Sequence, residues 1–271
     1  MAGKSEMWEL VLPIIGFFIG VVSAMTGLGG GIFVVPLLTL FFSFAPANAI
    51  GTSLTTILFT AAAATANYSR QKCIYYKAGL ILALATVPGA VLGAFLTSVI
   101  AARTLGLIFG FFLIFVAVRM LNEGNFFRNR GSAEKQSAVA LAGSERELFA
   151  SIPKFAAGVV LSFFAGFASG LLGVGGGLHL VPIMMMVMDM RMHVVVATSM
   201  FTMIITSAAG IAQHYALGNI NFEYALLIAA GSVLGAQLGA YASKRLSSKN
   251  LRRIFAVILI IVSLQMIIKF I

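Results

Sequence analysis

Charge is scarce in this 271-residue chain, and acid is scarcer still. Charged residues make up 10% of it, with 8 Asp+Glu against 18 Lys+Arg. A soluble domain carries about a quarter charged residues, so a soluble globular enzyme is excluded. There is one cysteine, Cys73. It excludes an intrachain disulfide and any metal cluster built on cysteine. No Asp or Glu lies inside an apolar segment; Asp189 and Glu223 sit at segment ends. A cation held at mid-membrane wants an anionic partner, so this absence argues against a cation substrate and against a carboxylate proton relay. Gly-x-Ser-x-Gly, His-Glu-x-x-His and paired carboxylates are missing, and with them the usual hydrolase chemistry. What fills the chain is apolar: 60% hydrophobic residues and a mean hydropathy of +1.03. These numbers describe a polytopic, all-helical membrane protein. The net charge of +10 falls between the apolar segments. There it reads as a topology signal rather than as a nucleic-acid surface.

Shifted by 146 residues, the sequence matches itself. Gly27-Leu28-Gly29-Gly30-Gly31 falls on Gly173-Val174-Gly175-Gly176-Gly177, Val35-Pro36 on Val181-Pro182, and Thr52-Ser53 on Thr198-Ser199. From Gly16 to Met120 there are 33 identities in 105 positions without a gap. The chain is therefore read as a tandem duplication: repeat 1 over 10–121, a polar linker over 122–155, and repeat 2 over 156–271. Each repeat holds five apolar segments. They lie at about 10–26, 32–44, 49–67, 78–100 and 104–121, then at about 156–172, 178–189, 194–215, 224–243 and 250–271. The first run continues directly into the glycines, so it reads as mature structure and not as a signal peptide. A full span needs about 20 helical residues. The first two segments of each repeat are short for that and are separated by a Gly-rich break. Two short spans, a re-entrant hairpin and one long broken span fit equally well.

Charge fixes the parity of the crossings. An odd number per repeat inverts the second repeat and collects 15 basic residues on one side, leaving Lys4, Arg103 and Lys269 on the other. Four crossings per repeat would split them 11 against 7. The positive-inside rule prefers the odd count. The expectation is two inverted-topology repeats in a bacterial-type cytoplasmic (inner) membrane, with both termini outside and linker 122–155 in the cytoplasm.

Inverted repeats with paired broken segments point to a secondary transporter working by alternating access. Glycines let the backbone leave helical geometry cheaply, and a break in the bilayer must be buried in protein or line a cavity. The helix restarting after each break would present free N–H groups and a partial positive charge, which suit an anion. The candidate substrate-binding residues are Gly27, Gly29, Gly30, Gly31, Thr52 and Ser53, with Gly173, Gly175, Gly176, Gly177, Thr198 and Ser199 in the second repeat. The hydroxyls can donate to an anion's oxygens or cap a helix start. Neither a Walker A loop nor a dinucleotide fingerprint is present. His179, two residues past the second break, and His214, read as interfacial, are candidates for a proton-sensitive step. The partners expected are a small anionic substrate and the lipid bilayer. No cofactor, metal or nucleic acid is expected, and monomer and homodimer both remain open.

Two rival readings stand beside this one. Met184, Met185, Met186, Met188, Met190 and Met192, with His193, form a dense cluster. Thioethers suit a soft ion such as Cu(I), but methionine also serves as flexible apolar filler. The second rival is a non-transporting scaffold whose glycines only pack helices. Gly16/Gly20, Gly89/Gly93 and Gly235/Gly239 are small-xxx-small pairs expected to bring helices of this chain together.

The duplicated GLGGGIFVVPLL and GVGGGLHLVPIM resemble the sulfite exporter (TauE/SafE) family of membrane permeases. So do GTSL and ATSM, HYALGNINFEYALLIAAGSVLGAQLGA, and LRRIFAVILIIVSLQMI. The likeness covers nearly the whole chain apart from the linker. It implies transport of sulfur-containing anions such as sulfite, sulfonates, sulfoacetate or thiosulfate-like species. His179 stands where that motif is expected to be apolar.

Overall fold

A computed structural model describes residues 2–126, 152–243 and 249–271. Most of the 122–155 linker lies outside the described residues. Its two ends are helical, since the flanking helices run to Phe126 and begin again at Ile152. Among the described residues every regular element is a helix. They are α1 (Ala2–Thr26), α2 (Gly31–Pro36), α3 (Pro46–Arg70), α4 (Tyr76–Val99) and α5 (Ala102–Phe126), then α6 (Ile152–Leu172), α7 (Gly177–Pro182), α8 (Met192–Ala216), α9 (Phe222–Ala242) and α10 (Lys249–Phe270). Five of them, α3, α4, α6, α8 and α9, are long and apolar enough to cross a membrane. α2 and α7 continue as π-helix over Leu37–Phe41 and Ile183–Val187. Each π-segment follows a proline, Pro36 or Pro182, whose missing N–H leaves one carbonyl of the preceding turn without its usual donor. At 1.5 Å per residue the run Gly31–Phe41 is roughly 16 Å long, about half a hydrocarbon core.

The helix starts carry ordinary local signals. Proline occupies the first turn of α3, where its lost N–H is an orphan in any case. Asn221 caps α9, its Oδ1 accepting from the amide of Tyr224 at 3.3 Å. The breaks need glycine outright. Gly27, Gly29 and Gly30 sit at φ +77°, +84° and +82°, and Gly173, Gly175 and Gly176 at +68°, +74° and +83°. Side chains with a Cβ rarely adopt that region.

Packing is reciprocal between the two parts of the chain. α1 lies on α9 and α6 lies on α4; α5 pairs with α10; α3 touches α8 and α9, and α8 touches α4. Close approach through glycine explains the first two pairs. Gly16 and Gly20 of α1 face the backbone of Ile228 and Ser232, while Gly231, Gly235 and Gly239 of α9 face that of Pro13, Phe17 and Val21. In the second pair Gly89 and Gly93 of α4 face Phe163 and Phe167, and Gly166 and Gly170 of α6 face Thr86 and Ala90. Added methyl groups there would meet carbonyl oxygens, so these glycines pack helices of this chain. The outward faces are apolar, with Phe18, Leu84, Phe111, Phe164 and Leu234 exposed, as a lipid-facing surface requires.

Candidate functional site

The two glycine breaks meet. A Cβ on Gly31 would collide with the carbonyl oxygen of Gly173, and a Cβ on Gly177 with that of Gly27. Those same carbonyls accept the two serines singled out in the sequence. Ser53 Oγ donates to Gly173 O at 2.8 Å, and Ser199 Oγ to Gly27 O at 3.2 Å. Each serine stands on the third helix of its own half and clasps the break of the other. Ser199 also reaches Val196 O at 3.0 Å, so its one proton is shared.

The neighbouring threonines are spent differently. Thr52 Oγ1 accepts from the Asn221 amide at 3.0 Å and Thr198 Oγ1 from the Tyr75 amide at 3.1 Å. Asn221 and Tyr75 are the residues before α9 and α4, so each threonine holds the start of one of those helices. All four hydroxyl residues are fully buried. Their hydrogen bonds in this arrangement are to protein backbone.

Two residues that sequence reasoning passed over fill the space between the breaks. Ile57 and Met203 occupy matching positions on α3 and α8. A methyl group on Gly175 would lie 2.7 Å from Ile57 Cγ2, and one on Gly29 would lie 2.8 Å from Met203 Sδ. Apolar residues in apolar helices carry no sequence signal of such a role. The arrangement is thus a closed one, with clasps made and the gap between the breaks filled.

The restarted helices begin their internal hydrogen bonding late. Phe33 and Val34 both donate to Gly30 O, at 3.0 and 3.2 Å, and His179 and Leu180 to Gly176 O, at 3.1 and 2.9 Å. The amides of Gly31, Ile32, Gly177 and Leu178 precede these bonds and have no acceptor within their helix, as at any helix start. Beside each break stands a serine that the sequence reading also passed over, Ser23 on α1 and Ser169 on α6. Both are buried, at 1% and 0% exposure, and neither hydroxyl has a hydrogen-bond partner. Their signal was present, since Ser23 falls on Ser169 in the 146-residue shift.

The histidines lie off the meeting point. His179 is half-buried and stacks on Phe112 of α5 with ring centroids 5.5 Å apart. His214, expected at the interface, is fully buried, with Nε2 3.2 Å from Gly170 O on α6. It takes the place of Tyr68 in the other half, whose hydroxyl donates to Ala24 O at 2.7 Å. The end of α8 is covered by α6 and by the turn after it, so the His214 ring faces protein. Asn219 N donates back to His214 O at 2.9 Å.

The methionine cluster is mostly core. Met184, Met185, Met188 and Met190 are buried among Tyr75, Leu82 and Val195, whereas Met186 is 57% exposed. Among the described residues the buried polar side chains are serines, threonines and His214, apart from the hydroxyls of Tyr68 and Tyr75. A ligand at the breaks would meet neutral donors and backbone dipoles, and among the side chains whose burial is described no carboxylate is buried to repel an anion.

Comparison with known proteins follows the same line. Probable membrane transporter protein YunE of Bacillus subtilis (strain 168) is 32% identical over 265 residues, covering 95% of this chain and 97% of that one. A probable membrane transporter protein of Methanocaldococcus jannaschii is 26% identical over 275 residues, covering 95% and 96%. No solved structure matches. The sequence pattern of one family, described as sulfite exporter TauE/SafE, fits residues 12–266. That stretch takes in both glycine breaks, both clasps and the helices that carry them, and the chain belongs to the sulfite exporter TauE/SafE family of membrane transporters.

Proposed function

We propose that this protein moves a small sulfur-containing oxyanion, such as sulfite, a sulfonate or sulfoacetate, across the cytoplasmic membrane by alternating access. The observation that carries the reading is the meeting of the two breaks under reciprocal clasps, Ser53 on Gly173 and Ser199 on Gly27. Two units, 10–121 and 156–271, related by inverted topology, exchange roles. One clasp opens toward one face while the other stays made, then the reverse. Opening a clasp frees the serine hydroxyl and exposes the amides of Gly31 and Ile32, or of Gly177 and Leu178, to the substrate. Thr52 and Thr198 keep the neighbouring helix starts in place as the clasps open. Neutral donors suit transport, because they bind an anion without holding it as a buried cation would.

Both termini lie outside and linker 122–155 in the cytoplasm, following the 15-to-3 division of basic residues. Export needs no coupling ion. A potential negative inside drives an anion outward by about 2.3 kcal/mol per charge per 100 mV. The name of the family supports the sulfur oxyanion, and the absence of buried carboxylates among the side chains whose burial is described supports an anion in general.

The test is flux in proteoliposomes loaded with sulfite, sulfoacetate or thiosulfate. Wild type releases at least one of them, faster when the lumen is held negative. Gly30→Leu and Gly176→Leu insert normally and release none. Normal flux in either variant sinks the paired-break site.

A further inference from the structure

We propose that Ser23 and Ser169 are substrate-binding hydroxyls, one beside each glycine break, donating to an oxygen of the transported oxyanion. The proposal rests on the anion-transport reading above and deepens it by naming donors outside the sequence motifs.

A buried serine in a helix ordinarily spends its proton on a carbonyl one turn back. This chain follows that habit repeatedly. Thr26 donates to Val22 O at 2.8 Å, Thr60 to Thr56 O at 2.9 Å, Ser162 to Gly158 O at 2.7 Å and Thr202 to Thr198 O at 2.9 Å. Ser23 and Ser169 do not, and no other group among the described residues satisfies them. Each is nevertheless buried to at least 99%. Leaving a hydroxyl dry and unpaired is unfavourable, so such a group calls for an explanation such as a ligand.

Position supplies the explanation. The Ser23 hydroxyl lies 3.6 Å from where a side chain on Gly30 would begin, and Ser169 Cβ lies 3.7 Å from the same point on Gly176. Gly30 and Gly176 are the left-handed residues from which α2 and α7 restart. Each serine therefore stands against the backbone whose leading amides lack intrahelical acceptors. Thr206 joins the second group, its Cγ2 also 3.7 Å from that point on Gly176, and Thr206 in turn is bonded to Thr86 at 2.5 Å. The matching pair in the other half, Thr60 and Ser232, is bonded at 2.7 Å. With those hydroxyls engaged and the clasps on Ser53 and Ser199 made, Ser23 and Ser169 keep a proton to give. The other buried hydroxyls without partners among the described residues, on Thr39, Thr65 and Ser207, fall on Met185, Ile211 and Ala61 in the 146-residue shift. Among the described residues, only at the breaks is an unpaired hydroxyl present in both halves.

The test separates a ligand donor from a structural one. Purified wild type, Ser23→Ala, Ser169→Ala and the control Ser162→Ala are melted with and without sulfite, thiosulfate and sulfoacetate, with chloride as a non-oxyanion. The same proteins are assayed for flux in proteoliposomes. Removing an unpaired buried hydroxyl leaves the ligand-free melting temperature unchanged or raised. The oxyanion-induced shift shrinks, and KM rises roughly tenfold or more for each serine, the loss expected for one hydrogen bond to a charged group. Ser162→Ala leaves KM unchanged. If wild type responds to an oxyanion and both break-serine variants respond equally, the serines do not bind substrate and the inference is overturned, while the transport reading stands. A fall in ligand-free stability with unchanged KM overturns it too, by giving the hydroxyls a structural role. Wild type that neither binds nor moves any oxyanion overturns both readings together.

Discussion

The two clasps are not equal, and the difference predicts a ranking. Ser53 Oγ has one acceptor, Gly173 O at 2.8 Å. Ser199 Oγ divides its proton between Val196 O at 3.0 Å and Gly27 O at 3.2 Å. A neutral hydrogen bond contributes about 1 kcal/mol net, and removing its donor so that a buried carbonyl is stranded costs about 1–3 kcal/mol in all. Ser53→Ala removes the whole clasp on Gly173 and is expected to lower stability by about 1–3 kcal/mol. Ser199→Ala removes the longer half of a shared bond and is expected to lower it by about 1 kcal/mol or less. The same loss biases conformation. About 1.4 kcal/mol taken from one clasp shifts the balance between its closed and open forms roughly tenfold. Cys73 gives the assay: it is the single cysteine and is 5% exposed, so a thiol-reactive dye reports unfolding. The Ser53→Ala melt should fall below that of Ser199→Ala, and both below wild type. Equal losses, or a larger loss for Ser199→Ala, would refute the reasoning from bond sharing.

Two further outcomes follow from the same geometry. Gly176→Ala meets no atom nearer than 3.6 Å, so its cost is the left-handed backbone alone, about 1–2 kcal/mol. Gly30→Ala adds a methyl 2.8 Å from Ile19 Cγ2 and should melt lower than Gly176→Ala; the reverse order would contradict the packing described. Replacing Met184, Met185 and Met186 together by Leu keeps volume and polarity, so each change should cost less than about 1.5 kcal/mol with flux of the oxyanion retained. Flux abolished in a correctly inserted triple variant would instead favour a soft metal ion as cargo.

Much of the fold was legible because glycine and proline punctuate it. Among the described residues the ten apolar segments fall on ten helices, and the second segment of each half is a short helix as expected. The first, expected to be short as well, is not: α1 runs Ala2–Thr26 and α6 runs Ile152–Leu172, the latter long and apolar enough to cross a membrane. The glycines of the breaks were legible for a physical reason: positive φ and close backbone approach admit little else. The partners of the polar residues were not legible. Thr52 and Ser53 are adjacent, yet one accepts from Asn221 and the other donates to Gly173. Sequence order says nothing about hydrogen bonds that join residues 120 or more positions apart. A polar residue that ends an apolar run, as His214 does, gives no sign that its ring is buried against α6. Ile57 and Met203 were invisible because burial between the breaks leaves no mark on an apolar residue. Ser23 and Ser169 were legible in part: a polar identity in register sat in view, but only the structure shows that their hydroxyls are unpaired.

The hydrogen bonds of one half recur in the other by position more than by residue type. Tyr68 to Ala24 is repeated as His214 to Gly170, and Thr60 with Ser232 as Thr206 with Thr86. Thr52 with Asn221 is repeated as Thr198 with Tyr75. Different side chains thus meet the same demand, that a buried polar group find a partner. Under the proposed exchange this repetition has an energetic consequence. When the halves trade conformations, each of these bonds broken on one side is replaced by its counterpart on the other. The free-energy difference between the two states is then set by the pairs that differ. Those include Ile57 against Met203 in the gap, Tyr68 against His214 at the end of the third helix, and a single-acceptor clasp against a shared one. They also include the bonds from Asn67 to Gln237 O and from Gln71 to Ala240 O, which the other half lacks among the described residues. The fewer unmatched bonds an exchange has to break, the smaller the bias from substrate or potential that turns it.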